Sequence, residues 1–152
     1  MTNICMILAI LAFYTIYAPT SLSIAAEKNV QAKKSRSSKP NCKEIERGIT
    51  KERRLALAPN VAKQLNVANV DILQLWQMNE WSILYADTHE TDEVYLFYSK
   101  EPLVNRYIVT WSGAARIDEY EEIKKWTIKN APNIPLKLAE CFSLHVTKKT
   151  EK

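Results

Sequence analysis

Asp87-Thr88-His89-Glu90-Thr91-Asp92 is the densest group of metal-ligating and proton-transferring side chains in the sequence. Oxygen donors around one imidazole suit a divalent cation, and a histidine flanked by carboxylates suits general acid–base work. The stretch lacks the central glycine and the spacing of a helix–loop–helix calcium site. Turn preference and solubility explain the same residues as a hairpin loop, so no metal ligand is assigned. If the protein is an enzyme, the expectation is a small hydrolase-like site around His89 with Asp87 or Asp92. Cys141 and His145 stand four apart, on one face of a helix. A disulfide at Cys141 would remove the thiolate, however, and no third ligand lies near in sequence.

The remaining inventory for catalysis is thin, with two histidines and two glycines in 152 residues. The chain has no Gly-rich phosphate loop, nucleophile elbow or His-Glu-x-x-His helix. No cofactor is implied and no catalytic residue is assigned. Gly113, at a strand exit before a helix, permits a tight turn or close packing. An anion pocket of backbone amides there is disfavoured, because Asp118 and Glu119 already place negative charge at the helix start. Aromatic residues are plentiful instead. On alternating strands, Trp81, Tyr95, Phe97 and Trp111 make the candidate binding face, since Tyr and Trp on an uncovered sheet face favour partner contacts.

Disulfide chemistry depends on the compartment. The first 26 residues carry no Lys, Arg, Asp or Glu. An apolar run from Ile4 to Tyr17 is followed by Pro19 and the small residues Ala25-Ala26. This pattern reads as a secretory signal peptide over residues 1–26, its apolar run being short for a spanning helix. An uncharged Met1-Thr2-Asn3 start and the basic residues just after the cleavage site leave an uncleaved anchor as the alternative. With Cys5 removed, Cys42 and Cys141 are the only possible pair, and an oxidising compartment predicts that they bond. The expected location is therefore periplasmic or secreted, with no membrane span in the mature chain.

Charge is unevenly spread. Residues 27–54 carry a net +6 and the remainder a net −2, giving the +4 of the whole chain. Residues 27–41 (EKNVQAKKSRSSKPN) have one strongly apolar side chain and read as a flexible basic linker. An anionic envelope component or another protein is the expected partner. Without aromatic interleaving in the arm or a recognition motif in the body, nucleic acid is not.

Residues 42–152 read as one α+β domain. At 47% hydrophobic and 25% charged, the composition excludes collagen-like, coiled-coil and low-complexity chains. Cys42 to Asn66 is expected to be helical in one or two pieces, with Thr50 as an N-cap and Pro59 in a first helical turn. Leu55, Ala58, Ala62 and Leu65 should face the core, with Leu57 and Val61 widening the stripe. Four strand-like segments follow on short connections (67–78, 81–87, 93–99 and 106–112), which predicts a four-stranded antiparallel meander. Helices should cover one face of it and aromatics the other. Asp118 and Glu121 resemble a capping box for a helix with Tyr120, Ile123 and Trp126 inward. A last helix from Pro135 should bury Leu138, Ala139, Phe142 and Val146. The function expected is that of a small exported binding protein without catalysis. The alternatives are the His89 enzyme and a structural accessory protein of the envelope.

Overall fold

The computed structural model describes residues 40–149. The expected signal peptide and all but the last two residues of the expected linker lie outside the described residues. The domain is α+β, and its disulfide joins Cys42 to Cys141 with the Cα atoms 5.8 Å apart. The start of the chain path differs from expectation. Asn41 caps a short 3-10 turn, Cys42–Glu44, by accepting from the Lys43 N–H. Strand β1 (Glu46–Arg47) follows rather than helix. It pairs antiparallel with β2 (Asp71–Met78), placing Arg47 opposite Trp76. Gly48 then turns the chain at φ +148°, a conformation that side-chain-bearing residues rarely adopt, and donates its N–H to Leu75. The sheet therefore has five strands and not four.

Helix α1 (Lys51–Leu65) starts where its N-cap predicts, since the Thr50 hydroxyl accepts from the Arg53 N–H at 3.2 Å. It ends at Asn66, whose left-handed φ of 58° lets its N–H close on Ala62. Pro59 is inside the helix, not in its first turn. Pro59 and Leu55 both lie on the solvent side, where water can serve the carbonyl that Pro59 leaves without a donor. The buried stripe is Leu57, Val61 and Ala62, and Leu55 is 66% exposed. Two residues along a helix is a rotation of roughly 200°, so once Leu57 fills the core Leu55 must face away.

The remaining strands are β3 (Trp81–Asp87), β4 (Val94–Tyr98) and β5 (Val109–Ser112), in sheet order β1-β2-β3-β4-β5, all antiparallel. Asn79 takes φ 56° in the tight β2–β3 turn, which short polar side chains tolerate best. Chain direction then alternates side chains between two faces. One face presents Leu75, Leu84, Leu96 and Tyr98 to Leu57 and Val61 of α1. The other presents Trp76, Ile83, Tyr95 and Phe97 to Leu138 and Phe142 of the last helix. Helices thus cover both faces, correcting the expectation that helices would cover one and aromatics partly cover the other.

Helix α2 (Tyr120–Asn130) is entered through a 3-10 turn, Ile117–Glu119. The acid that reaches back is Glu119, accepting from the Arg116 N–H. Glu121 instead pairs with Lys124 at 2.8 Å. The box therefore sits two residues earlier than expected. Helix α3 (Leu136–Lys149) buries Leu138, Ala139, Phe142 and Val146, as its spacing predicts. Its buried hydroxyls are satisfied within the helix, Ser143 donating to Ala139 and Thr147 to Ser143. The disulfide ties the turn before β1 to the middle of this helix. No helix of the described residues is long and apolar enough to cross a membrane.

Candidate functional site

His89 occupies the β3–β4 loop at φ 59°. The Asp87 carboxylate accepts from the His89 N–H at 2.8 Å, and Thr88 Oγ1 accepts from the N–H groups of Glu90 and Thr91. These are turn-closing bonds of the kind Asp and Thr supply. The imidazole lies between two carboxylates, with Nε2 3.2 Å from Asp71 and Nδ1 3.6 Å from Asp87. Asp71 and Asp87 are directly opposed across β2 and β3, where like charges repel. The His89 side chain is 52% exposed, and Asp92 points its chemistry elsewhere, as described below. Among the described residues, no group of three or more His, Cys, Asp or Glu could hold a metal ion.

His145 also has a packing role. Its ring meets Trp76 edge-on, with centroids 4.6 Å apart, while the Arg47 guanidinium lies 4.9 Å from the Trp76 ring centroid. Cys141, four residues earlier, is held in the disulfide.

The candidate binding face is largely a core. Trp81, Tyr95 and Phe97 are buried, and Trp111 is partly so. Phe142 of α3 stands edge-on to Tyr95, Phe97 and Trp111, with centroid distances of 5.2, 5.0 and 5.6 Å. These are favourable aromatic geometries. The expected open face is therefore corrected. Alternation identifies which side chains share a face, but when both faces are apolar it does not identify which a helix will cover.

One end of that aromatic layer remains open. Strand register aligns Tyr85 with Tyr95 and Tyr95 with Trp111, a row of three rings across β3, β4 and β5. Tyr85 and Tyr95 stack at 4.3 Å, and Trp111 tilts against Tyr95 at 5.7 Å. Val146 of α3 lies beside the row, but the strand exit Gly113-Ala114 brings no large side chain to fill it. The result is a cavity of about 270 Å³ lined by these residues together with Asp92 and Glu93. That volume lies near the lower limit for small-molecule sites.

Tyr95 supplies the polar feature inside. It is 3% exposed, and its hydroxyl makes no hydrogen bond of normal geometry among the described residues. Burial, then the neighbouring Tyr85 phenol and the Glu93 carboxylate, hold its pKa far above that of an ordinary phenol. It therefore stays neutral, with a proton to give and lone pairs to share. A buried polar group left unpaired is costly, so a ligand that pairs with it gains more than the same contact would give in water. The arrangement offers aromatic walls, a hydroxyl and two carboxylates, which suit binding and orientation.

A second, shallower groove of about 590 Å³ flanks the disulfide and is lined by Lys43, Arg47, His145 and Lys148 among others. Sequence reasoning placed Tyr95 and Trp111 in a binding surface but missed Tyr85, Glu93, Ala114 and Val146. The signal for Tyr85 was its place on the same strand face as Trp81. Val146 and Glu93 join it only through packing across elements distant in sequence. No family model, curated protein or solved structure matches this chain.

Proposed function

We propose that this chain is a small exported protein that binds a ligand rather than transforming one, and that the cavity at the end of the sheet is its binding site. The observation that carries the reading is Tyr95, a buried hydroxyl in the wall of an aromatic cavity with only the Tyr85 phenol near it and no well-formed hydrogen bond among the described residues. Export is supported by the uncharged first 26 residues and by a disulfide spanning most of the domain, a bond that persists in oxidising compartments. Against the alternative enzyme, His89 sits on an exposed turn with its ring nitrogens engaged by Asp71 and Asp87, and it does not line the cavity.

The test is amide chemical-shift mapping of the oxidised protein against a small-fragment set holding cationic, neutral and anionic members. Shifts confined to Glu93, Tyr95, Trp111, Gly113 and Ala114 are expected for some member. A set in which nothing moves those amides would leave a structural accessory role and overturn the binding reading.

A second reading, an anionic envelope partner, is favoured by the groove beside the disulfide, where Lys43, Arg47 and Lys148 gather, and by the basic composition of residues 27–41 in the sequence. Heparin serves as the probe. Its affinity should fall steeply as salt rises, because screening weakens exposed charge pairs. Affinity indifferent to ionic strength would remove this reading.

A further inference from the structure

The cavity's chemistry narrows the ligand class, and this step rests on the binding reading above. Three aromatic rings in strand register, Tyr85, Tyr95 and Trp111, line the cavity. Ring faces carry the negative part of the aromatic quadrupole and attract cations, Trp most strongly. Asp92 and Glu93 bring two carboxylates to the same space, while no Lys, Arg or His among the described residues lines it. An anionic ligand would meet repulsion there. A neutral apolar ligand would leave the carboxylates and the Tyr95 hydroxyl without new partners. The Tyr95 hydroxyl, which makes no well-formed hydrogen bond among the described residues, then separates two kinds of cation. A quaternary ammonium has no N–H to donate, whereas a primary ammonium has three.

We propose that the cavity is a site for a small primary alkylammonium ligand, its N–H groups donating to the Tyr95 hydroxyl and to the Asp92 and Glu93 carboxylates, with its charge against the Trp111 and Tyr85 rings. The alkyl portion lies along Val146 and Ala114. A cation enclosed by rings and carboxylates is recognised by charge and by hydrogen bonding together, so both parts can be removed separately.

The experiment titrates the full, disulfide-bonded protein with n-butylammonium chloride, following the Trp111 indole N–H and Gly113 amide resonances. Tetramethylammonium, 1-butanol and butyrate are the comparison probes. Butylammonium should bind at least about tenfold tighter than 1-butanol, with butyrate weakest. The surface double variant Asp92→Asn with Glu93→Gln should lose at least about tenfold in butylammonium affinity. Tyr95→Phe should lose about threefold or more for butylammonium and leave tetramethylammonium unchanged. Near-ultraviolet circular dichroism of each variant reports whether the aromatic layer is intact. If Tyr95→Phe perturbs it, the double variant alone decides. Equal binding of 1-butanol and butylammonium, or a double variant that binds butylammonium as the parent does, overturns the ammonium assignment while the binding reading stands. If no probe of any charge moves Gly113 or Trp111, the cavity is not a binding site and both readings fall.

Discussion

Replacing Cys42 and Cys141 together by alanine converts the disulfide into a quantitative probe of how the two ends of the domain are coupled. The cross-link closes a loop with a sequence separation of 99. In the chain-entropy treatment, a loop of that length removes about 4.7 kcal/mol of denatured-state freedom at 25 °C. Alanine is preferred to serine because Cys141 is 1% exposed, and a hydroxyl there would be buried among apolar groups. For a domain of this size, about 4–5 kcal/mol corresponds to a melting temperature lower by roughly 15–20 °C. Urea denaturation of the oxidised parent, the reduced parent and the double variant gives the comparison. The reduced parent and the double variant should agree. Both should show a larger urea slope than the oxidised parent, since an uncross-linked denatured chain exposes more surface. A stability difference below about 1 kcal/mol between oxidised and reduced protein would refute the claim that this bond anchors the N-terminal turn to α3.

Phe142→Ala should destabilise the domain by about 3–5 kcal/mol, because this fully buried ring meets Trp76, Tyr95, Phe97 and Trp111 edge-on. A loss under about 1 kcal/mol in the same urea assay would contradict the packing described. Glu101 predicts a pH dependence. Burial pushes its carboxyl up, but hydrogen bonds from Arg53 and the Leu103 N–H, with the Arg53 charge, outweigh this and leave it below the ordinary value. Its stabilisation is therefore present above the unfolded pKa and lost as pH falls through the lower folded one. With the side chain 44% exposed, the effect should be under about 1 kcal/mol. Glu101→Gln should be less stable than the parent at pH 6, with the difference shrinking as pH falls through the lowered folded pKa, and a difference that does not change on acidification would exclude the linkage. His89→Asn, which keeps a residue tolerant of positive φ, should leave cavity binding unaffected. Loss of binding with folding intact would return His89 to the site.

The parts of the fold that were legible came from local signals. Thr50 as a cap, the strand at Trp81–Asp87 and the inward stripe of α3 each follow from chemistry within a few residues. The pairing of Cys42 with Cys141 followed from having no other partner. What sequence left hidden depends on contacts between distant segments. Glu46 and Arg47 form a strand because β2 offers an edge, and nothing in that dipeptide distinguishes it from a helical turn. Leu55 and Leu57 are chemically alike, and the geometry of α1 against the sheet decides which is buried. The candidate site divides the same way. Tyr95 and Trp111 were visible as same-face aromatics, whereas their burial by Phe142 and the opening beside Gly113 arise only when α3 crosses the sheet. His89 drew attention through its acidic neighbours, and Asp87 serves to close the turn on the His89 N–H while the ring stays exposed outside the cavity.

Intact-mass spectrometry of the protein isolated from its natural host, with thiol alkylation before and after reduction, tests the exported, disulfide-held binding protein most directly. The account predicts a chain beginning at Ala26 or Glu27 whose two cysteines alkylate only after reduction. A chain that retains Met1 and alkylates fully without reductant would contradict it.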